Sequence, residues 1–430
     1  MPFEHSPVKA AEPLRRIAVI GGGISGMGVA HMLADDARVV LFEAEPRLGG
    51  HARTRVVEGQ PVDTGFIVFN YANYPLLTAL FDRLDVPVVK SDMSFSASLR
   101  SGLEYGLRDM GAVFAQKSNA LRPQFWGMLR DVMRFNARAV SVAQDQSLTL
   151  REFLKVLGTG DWFRDHYLLP LSGAIWSTPV EKILDFPAHA LVRFFQNHAL
   201  LSHTGQHQWY TVQGGSVEYV TRLEAEMRRQ RVDLRPGVAV EAVKRTGTGV
   251  MVRAHGHWDA FDEVVFATHG DVSRRLLVDA DAREAQALDR VTYQPNRVVL
   301  HSDTALMPRR RACWSAWNYC EAPDKRSETI DLTYWMNCLQ PILEVRPLFV
   351  TLNSTRGIDP ALVHDEVVLR HPVYDAGMLE AQRAVAAFNG ARNTWFCGAW
   401  MRNGFHEDGL ASAAEVARAR TEQARERAAA

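Results

Sequence analysis

Between residues 17 and 54 the sequence reads IAVIGGGISGMGVAHMLADDARVVLFEAEPRLGGHART. An apolar run, Ile17 to Ile20, passes directly into Gly21, Gly23 and Gly26 in G-x-G-x-x-G spacing, then into a helical pattern, a second apolar run and Glu43. A strand that turns through small residues into a helix leaves the first helical amides unpaired, and with the positive dipole end they hold a pyrophosphate. An acid about twenty residues further on stands where a ribose hydroxyl needs an acceptor. Strand, turn, helix, strand and acid together, not glycines alone, predict a dinucleotide-binding βαβ unit in a doubly wound α/β fold. Gly21, Gly23, Ile24, Ser25, Gly26 and Glu43 are its candidate ligand contacts.

The residues just beyond this acid narrow the ligand. After Ala44 come Arg47, Leu48, Gly49, Gly50, His51, Ala52, Arg53 and Thr54. This stretch resembles the extended FAD signature of the flavin amine oxidase superfamily, which also includes phytoene-type desaturases and protoporphyrinogen oxidases. The resemblance implies FAD as cofactor, with Gly49, Gly50 and a flanking base, Arg47 or Arg53, against the pyrophosphate. His51 stands where many members carry arginine, so the positive charge there falls to His51 or to Arg53.

A chain of 430 residues with 47% hydrophobic content has room for two domains and a sizeable core. Lys plus Arg equals Asp plus Glu at 49 each, which gives no mean attraction to nucleic acid. Cys313, Cys320, Cys338 and Cys397 form no C-x-x-C pair, which argues against a disulfide framework or a zinc site and for a reducing, cytoplasmic setting. The opening MPFEHSPVKAAEPLRR lacks the apolar core of a signal peptide, and no run approaches the length of a membrane span. The expected location is the cytoplasm, with contact at the inner face of the membrane as an extension.

The order of patterns predicts a discontinuous arrangement. Residues 1–90, 211–290 and 386–430 are assigned to the FAD-binding domain, and residues 91–210 and 291–385 to an interleaved α+β substrate domain. Val62 to Ile67 reads as a strand end in which Gly65 lets the backbone approach a flat ligand, with Phe66 beside it. Helical spacing runs from Asn73 to Asp85, around 121–140 and around 187–201. Strands are expected at Val238 to Val243, Met251 to Arg253 and Glu263 to Thr268, with an antiparallel sheet over roughly 291–385 and a last buried strand before Gly398.

In the superfamily resembled, the stretch around Gly65 and Phe66 borders the flavin ring, a valine such as Val238 meets adenine through its backbone, and a turn such as Ala267-Thr268 lies near the cofactor. Gly398, Gly404 and Gly409 resemble its last FAD motif, with Asp408 at the usual acidic position and Leu410 beside it; Ala399 or Trp400 replaces a common acid. DMSFS at 92–96, AIWSTP at 174–179, GGSVEYV at 214–220 and CGAWMRNGFHEDG at 397–409 look like one bacterial branch of predicted NAD/FAD-binding proteins. That branch is associated with cyclopropane-fatty-acid-type methyltransferases, which implies lipid acyl chemistry and a lipid methyltransferase partner.

Amine oxidases of the superfamily place a lysine near the reactive flavin nitrogen, whereas the corresponding stretch here, Tyr293 to Val299, has none; Asn296 or Arg297 would have to serve. Trp176, Trp209, Trp314, Trp317, Tyr319, Tyr334 and Trp335 are candidate walls of an apolar slot, each with core filling as its competing role. His406 either donates to the flavin or relays a proton, or else caps the last helix. His198, His203 and His207 cluster in sequence without the acid or cysteine pattern of a metal site, so no metal is expected.

Residues 114–135 offer a peripheral membrane contact. Leu121, Phe125, Met128, Leu129 and Val132 make an apolar stripe beside Arg122, Arg130 and Arg134, and the helix either lets Phe125 and Trp126 enter a lipid interface or packs that stripe against the core. The leading expectation is an FAD-dependent oxidoreductase that dehydrogenates a lipid or fatty-acyl chain. The alternatives are a flavin amine oxidase acting on a small amine or polyamine, and a redox-neutral lipid isomerase or accessory subunit of a lipid methyltransferase.

Overall fold

Odd and even positions along the first strand belong to different cores, which is what a strand buried on both faces requires. Ile17 and Val19 join one apolar cluster with Val39, Leu41 and Val265, while Ala18 and Ile20 join another with Val40, Phe42, Val264 and Phe266. A computed structural model describes residues 14–145, 147–176, 183–185, 187–197, 201, 207–321, 331–343 and 346–429. In it these strands form a five-stranded parallel sheet in the order Thr394–Phe396, Glu263–Phe266, Arg16–Ile20, Arg38–Glu43 and Asp233–Pro236. The last of these, short and carrying Asp233 and Arg235, is not expected from the sequence.

The helices Ile24–Leu33 and His406–Ala429 cover the odd face. On the even face pack a three-stranded antiparallel meander, Val240–Arg245, Val250–Ala254 and His257–Phe261, and the helices Ala282–Asp289 and Ala376–Phe388. The buried Glu263 carboxylate ties the long helix to the sheet: Arg15, Arg420 and the Trp395 indole all donate to it.

A second sheet has seven strands in the order Val363–Pro372, Tyr293–His301, Phe349–Leu352, Leu332–Trp335, Trp317–Cys320, Phe95–Ser98 and Glu104–Gly106. Its pairs are antiparallel except Trp317–Cys320 with Phe95–Ser98. The strands thus come from two separate stretches of chain. Between the sheets, Val88–Ser91 on the outward passage pairs antiparallel with Trp209–Val212 on the return.

The helix Pro123–Val142 decides between its two expected roles. Phe125, Met128 and Phe135 are fully enclosed by the helical layer, so the apolar stripe is core and Phe125 does not reach a lipid interface. Leu121 and Trp126 remain exposed. Among the described residues no helix is long and apolar enough to cross a membrane.

Candidate active site

Two glycine turns lie back to back at the end of the parallel sheet. Gly21 has φ +107°, and a Cβ there would come within 2.8 Å of the Ala267 carbonyl oxygen; one at Gly26 would lie 1.7 Å from the Gly21 oxygen. Only hydrogen fits at either position. Gly23 precedes the helix Ile24–Leu33 without any side-chain cap, so the amides of its first turn remain for a ligand. The Gly49 amide donates to the Gly22 carbonyl at 2.8 Å, and a Cβ on Gly50 would stand 3.0 Å from the Gly23 Cα.

Glu43 is fixed beside these turns, accepting from the Gly22 amide at 2.5 Å and the Glu45 amide at 2.8 Å. A second helix start arrives from the far end of the chain. A Cβ at Gly409 would lie 2.8 Å from the Ser25 hydroxyl, and one at Gly28 would lie 2.6 Å from Leu410. Two positive dipole ends therefore meet beside the glycines, a setting for a diphosphate and an electron-rich ring.

Several candidate contacts are occupied by the protein itself. Arg47 donates to the carbonyls of Leu48, Gly50 and Ala52 and pairs with Glu45, so it staples the Gly-Gly turn. The Arg53 guanidinium is held by Thr64 and by both oxygens of Asp365, and burial disfavours a positive charge on His51. Thr54 donates to Asp63 at 2.6 Å and accepts from the Val217 amide. The Val238 amide donates to the Glu43 carbonyl, so only the Val238 carbonyl is left for adenine, and Ala44 is exposed.

Gly65 gives close approach to a different neighbour than expected: a Cβ there would lie 2.0 Å from the His51 carbonyl oxygen, to which the Phe66 amide donates. The Phe66 ring stacks on His406 with centroids 4.0 Å apart. Burial pushes His406 down to about 3 and Tyr219 well above its ordinary range, so both stay neutral, and the Tyr219 hydroxyl and His406 Nε2 share a hydrogen bond at 2.6 Å. Asp408 accepts from the Phe405 amide, and its burial raises it to about 6. The neighbouring Glu407 carboxylate caps another element, accepting from the Leu76 and Leu77 amides at the start of the helix Pro75–Arg83.

Sequence reasoning missed a group of imidazoles. His51, His269 and His371 come from three elements, with His51 5.7 Å from the His371 ring and 6.0 Å from the His269 ring. Burial, reinforced by the neighbouring His51, pushes His269 and His371 down to about 3; burial also lowers His51, whose Nε2 is enclosed without a partner. His269 follows Ala267-Thr268 and stacks on Tyr293 at 4.2 Å. Among the described residues no three His, Cys, Asp or Glu side chains are arranged to hold a metal ion.

Asn296 and Arg297 stand further along the strand that begins at Tyr293. Asn296 is buried and accepts from the Asn353 side chain, while Arg297 is exposed, pairs with Glu366 and lines an open groove of about 580 Å³ with Arg356 and Pro360. Neither has a described contact with the imidazole group. Trp317 and Tyr334 pack edge to face at 5.2 Å where the helical core and the sheet core meet. Tyr319 is buried in the helical core with its hydroxyl on Glu321, and Trp209 packs with the nucleotide-side core instead. The Trp176 side chain, His198 and His203 lie outside the described residues; His207 is described.

The flavin containing amine oxidoreductase family matches residues 24–312, from the first helix into the second sheet. The chain belongs to that family. The α/β architecture, a parallel nucleotide-binding sheet joined to a substrate sheet, is that of the flavin amine oxidases, and the cofactor is FAD. Coproporphyrinogen III oxidase of Mycobacterium leprae is 36% identical over 91 residues, 20% of this chain and 18% of that protein. The chain thus matches under a fifth of that relative's length. A CLA-producing fatty acid isomerase from P. acnes covers 94% of this chain and 98% of its own at 17% identity and a TM-score of 0.65. Putrescine oxidase bound to putrescine covers 95% and 99% at 14% identity and a TM-score of 0.69. These two likenesses concern the fold alone.

The residues present fit FAD as a family member should. The glycine turns leave no side chain between them, the first helix turn is uncapped, and the enclosed His51 Nε2 lacks a partner. Gly21, Gly23, Ser25, Gly26, Gly49 and Gly50 would hold the diphosphate, Glu43 the ribose, and Phe66, His269 and His406 the ring side.

Proposed function

We propose that this flavin amine oxidase family member is an FAD-dependent oxidoreductase that takes a hydride from a lipid or fatty-acyl chain, introducing a C=C bond. With FAD bound, the hydrogen lost with its electron pair would be accepted by the cofactor and the hydrogen lost from the adjoining carbon would leave as a proton to water. When bound, FAD supplies the two-electron acceptor; the protein supplies position, dryness and charge balance. The observation that carries the substrate class is the enclosed group of His51, His269 and His371, in which burial disfavours the charged form of each ring. Of the carboxylates nearby, Asp271 pairs with Arg370 through one oxygen while its other oxygen is buried without a partner, Glu407 caps a helix, Asp408 binds a backbone amide, and Asp63 is enclosed by Ser216, Thr54 and Gln340.

An alkylammonium substrate loses its hydration on entering such a site, whereas imidazoles that burial disfavours as cations suit an uncharged chain. The described lysines, Lys90, Lys117, Lys155 and Lys244, have no described contact with the imidazoles. Anaerobic mixing with phospholipids of varied acyl chains is expected to bleach the flavin and leave a product lighter by two hydrogens. Rapid bleaching by putrescine, with none by the lipids, overturns the reading. Isomerisation of the same chain is a second reading, a reaction that the fold also carries in the fatty acid isomerase, and predicts a product of unchanged mass.

A further inference from the structure

The outer face of the helix Pro123–Val142 carries apolar side chains that the fold leaves uncovered. At about 100° per residue, Arg122, Trp126, Arg130 and Met133 share one sector, opposite the buried Phe125, Met128 and Phe135. Trp126 is 52% exposed, Met133 66% and Leu121, in the turn leading into the helix, 84%. Phe114 lies against Trp126 with ring centroids 5.4 Å apart, and Met110, one turn before Phe114, is also exposed. The Trp126 indole nitrogen donates to the Ala120 carbonyl at 2.9 Å, which fixes the ring at the surface.

The surroundings are cationic. Six basic and two acidic side chains lie between residues 105 and 143. Asp109 is paired with Arg108, and Asp131 is buried with Arg134 on it and the exposed Arg130 at 4.0 Å, so neither acid faces Lys117 or Arg122. A second copy of the chain would set these same cations against one another across a two-fold contact. Anionic lipid answers both features, since the ring and thioether enter the acyl boundary while arginine and lysine stems reach phosphate.

We infer that this face docks the protein on an anionic lipid surface, with Leu121, Trp126 and Met133 in the acyl boundary and Lys117, Arg122 and Arg130 on headgroup phosphates. The inference stands apart from the proposed reaction, because binding is read without turnover. The test is flotation of the FAD-loaded protein with phosphatidylcholine vesicles, with and without phosphatidylglycerol. The protein is expected to float with the anionic vesicles and to sink with the neutral ones. The Trp126→Ser, Met133→Ser double variant should lose about tenfold in partition, and Arg122→Gln or Arg130→Gln about fivefold each. Trp126, Arg130 and Met133 are exposed and Arg122 is half-buried, and the variants should leave melting and flavin content unchanged. Failure of the wild-type protein to float, equal flotation of the double variant, or self-association that this variant abolishes overturns the inference.

Discussion

Arg53 grips Asp365 with both terminal guanidinium nitrogens, at 2.5 and 3.2 Å, and so joins the Gly-Gly strap to the edge strand of the other sheet. That guanidinium is thus committed to holding two sheets together. Breaking this mostly buried pair by Arg53→Met should cost about 3 kcal/mol of unfolding free energy, measured by urea denaturation. FAD affinity of the folded fraction should stay essentially unchanged, whereas His51→Ala should weaken it without a comparable loss of stability.

The imidazole group makes the fold acid-sensitive. His269, His371 and His406 are held to about 3 against an ordinary 6.5, chiefly by burial. Below pH 6.5 the unfolded chain therefore binds protons that the folded one refuses. The stability they allow is complete above pH 6.5 and is lost as pH falls through 6.5 toward 3. Each histidine contributes a slope of about 1.4 kcal/mol per pH unit in that window. Denaturation of FAD-free protein at pH 7 and pH 5 should show the loss, and His371→Gln should lower the slope by one proton.

Two neighbouring glycines should respond differently to alanine. At Gly23 the added carbon meets nothing nearer than the Gly50 Cα at 4.0 Å, so Gly23→Ala should fold normally. That carbon projects between the two turns, and the variant should purify with little FAD. At Gly26 it would collide with the Gly21 oxygen, and Gly26→Ala should lose about 3 kcal/mol or more of stability. Thermal melts paired with flavin absorbance separate the two outcomes.

Tyr219→Phe removes the hydroxyl hydrogen-bonded to His406 Nε2 and leaves a buried ring nitrogen unsatisfied. The expected cost is about 1–3 kcal/mol, seen as a lower denaturation midpoint. The flavin spectrum of the loaded variant should shift as well, because His406 stacks on Phe66 at the proposed ring side.

The nucleotide turn is legible in the sequence because its constraints are local. Gly26 is dictated by a contact within one βαβ unit, Gly21 is marked by the same G-x-G-x-x-G spacing although its close neighbour is Ala267, and continuous apolar runs mark the parallel strands directly. Arg47, Thr54 and Val238 are of suitable type at suitable spacing, yet their polar groups are taken by nearby backbone or by Asp63, which spacing does not encode. His269 and His371 are not legible at all. Each is a lone histidine, and only the packing of three elements brings them to His51. Asn296 and Arg297 stand three or four residues too far along their strand, past the Tyr293 that meets His269. The helix at 123–142 is amphipathic as its spacing predicts, but periodicity alone does not reveal that its opposite side carries exposed Trp126 and Met133.

The strand Thr394–Phe396 lies at one edge of the parallel sheet, and the helix after it presses Gly409 and Leu410 onto Ser25 and Gly28. A newly made chain therefore exposes its glycine turns on the ribosome long before their cover is synthesised. Secure retention of the cofactor must await release of residues beyond 410, so a stalled translation product would leave the apolar side of the first helix open to chaperones.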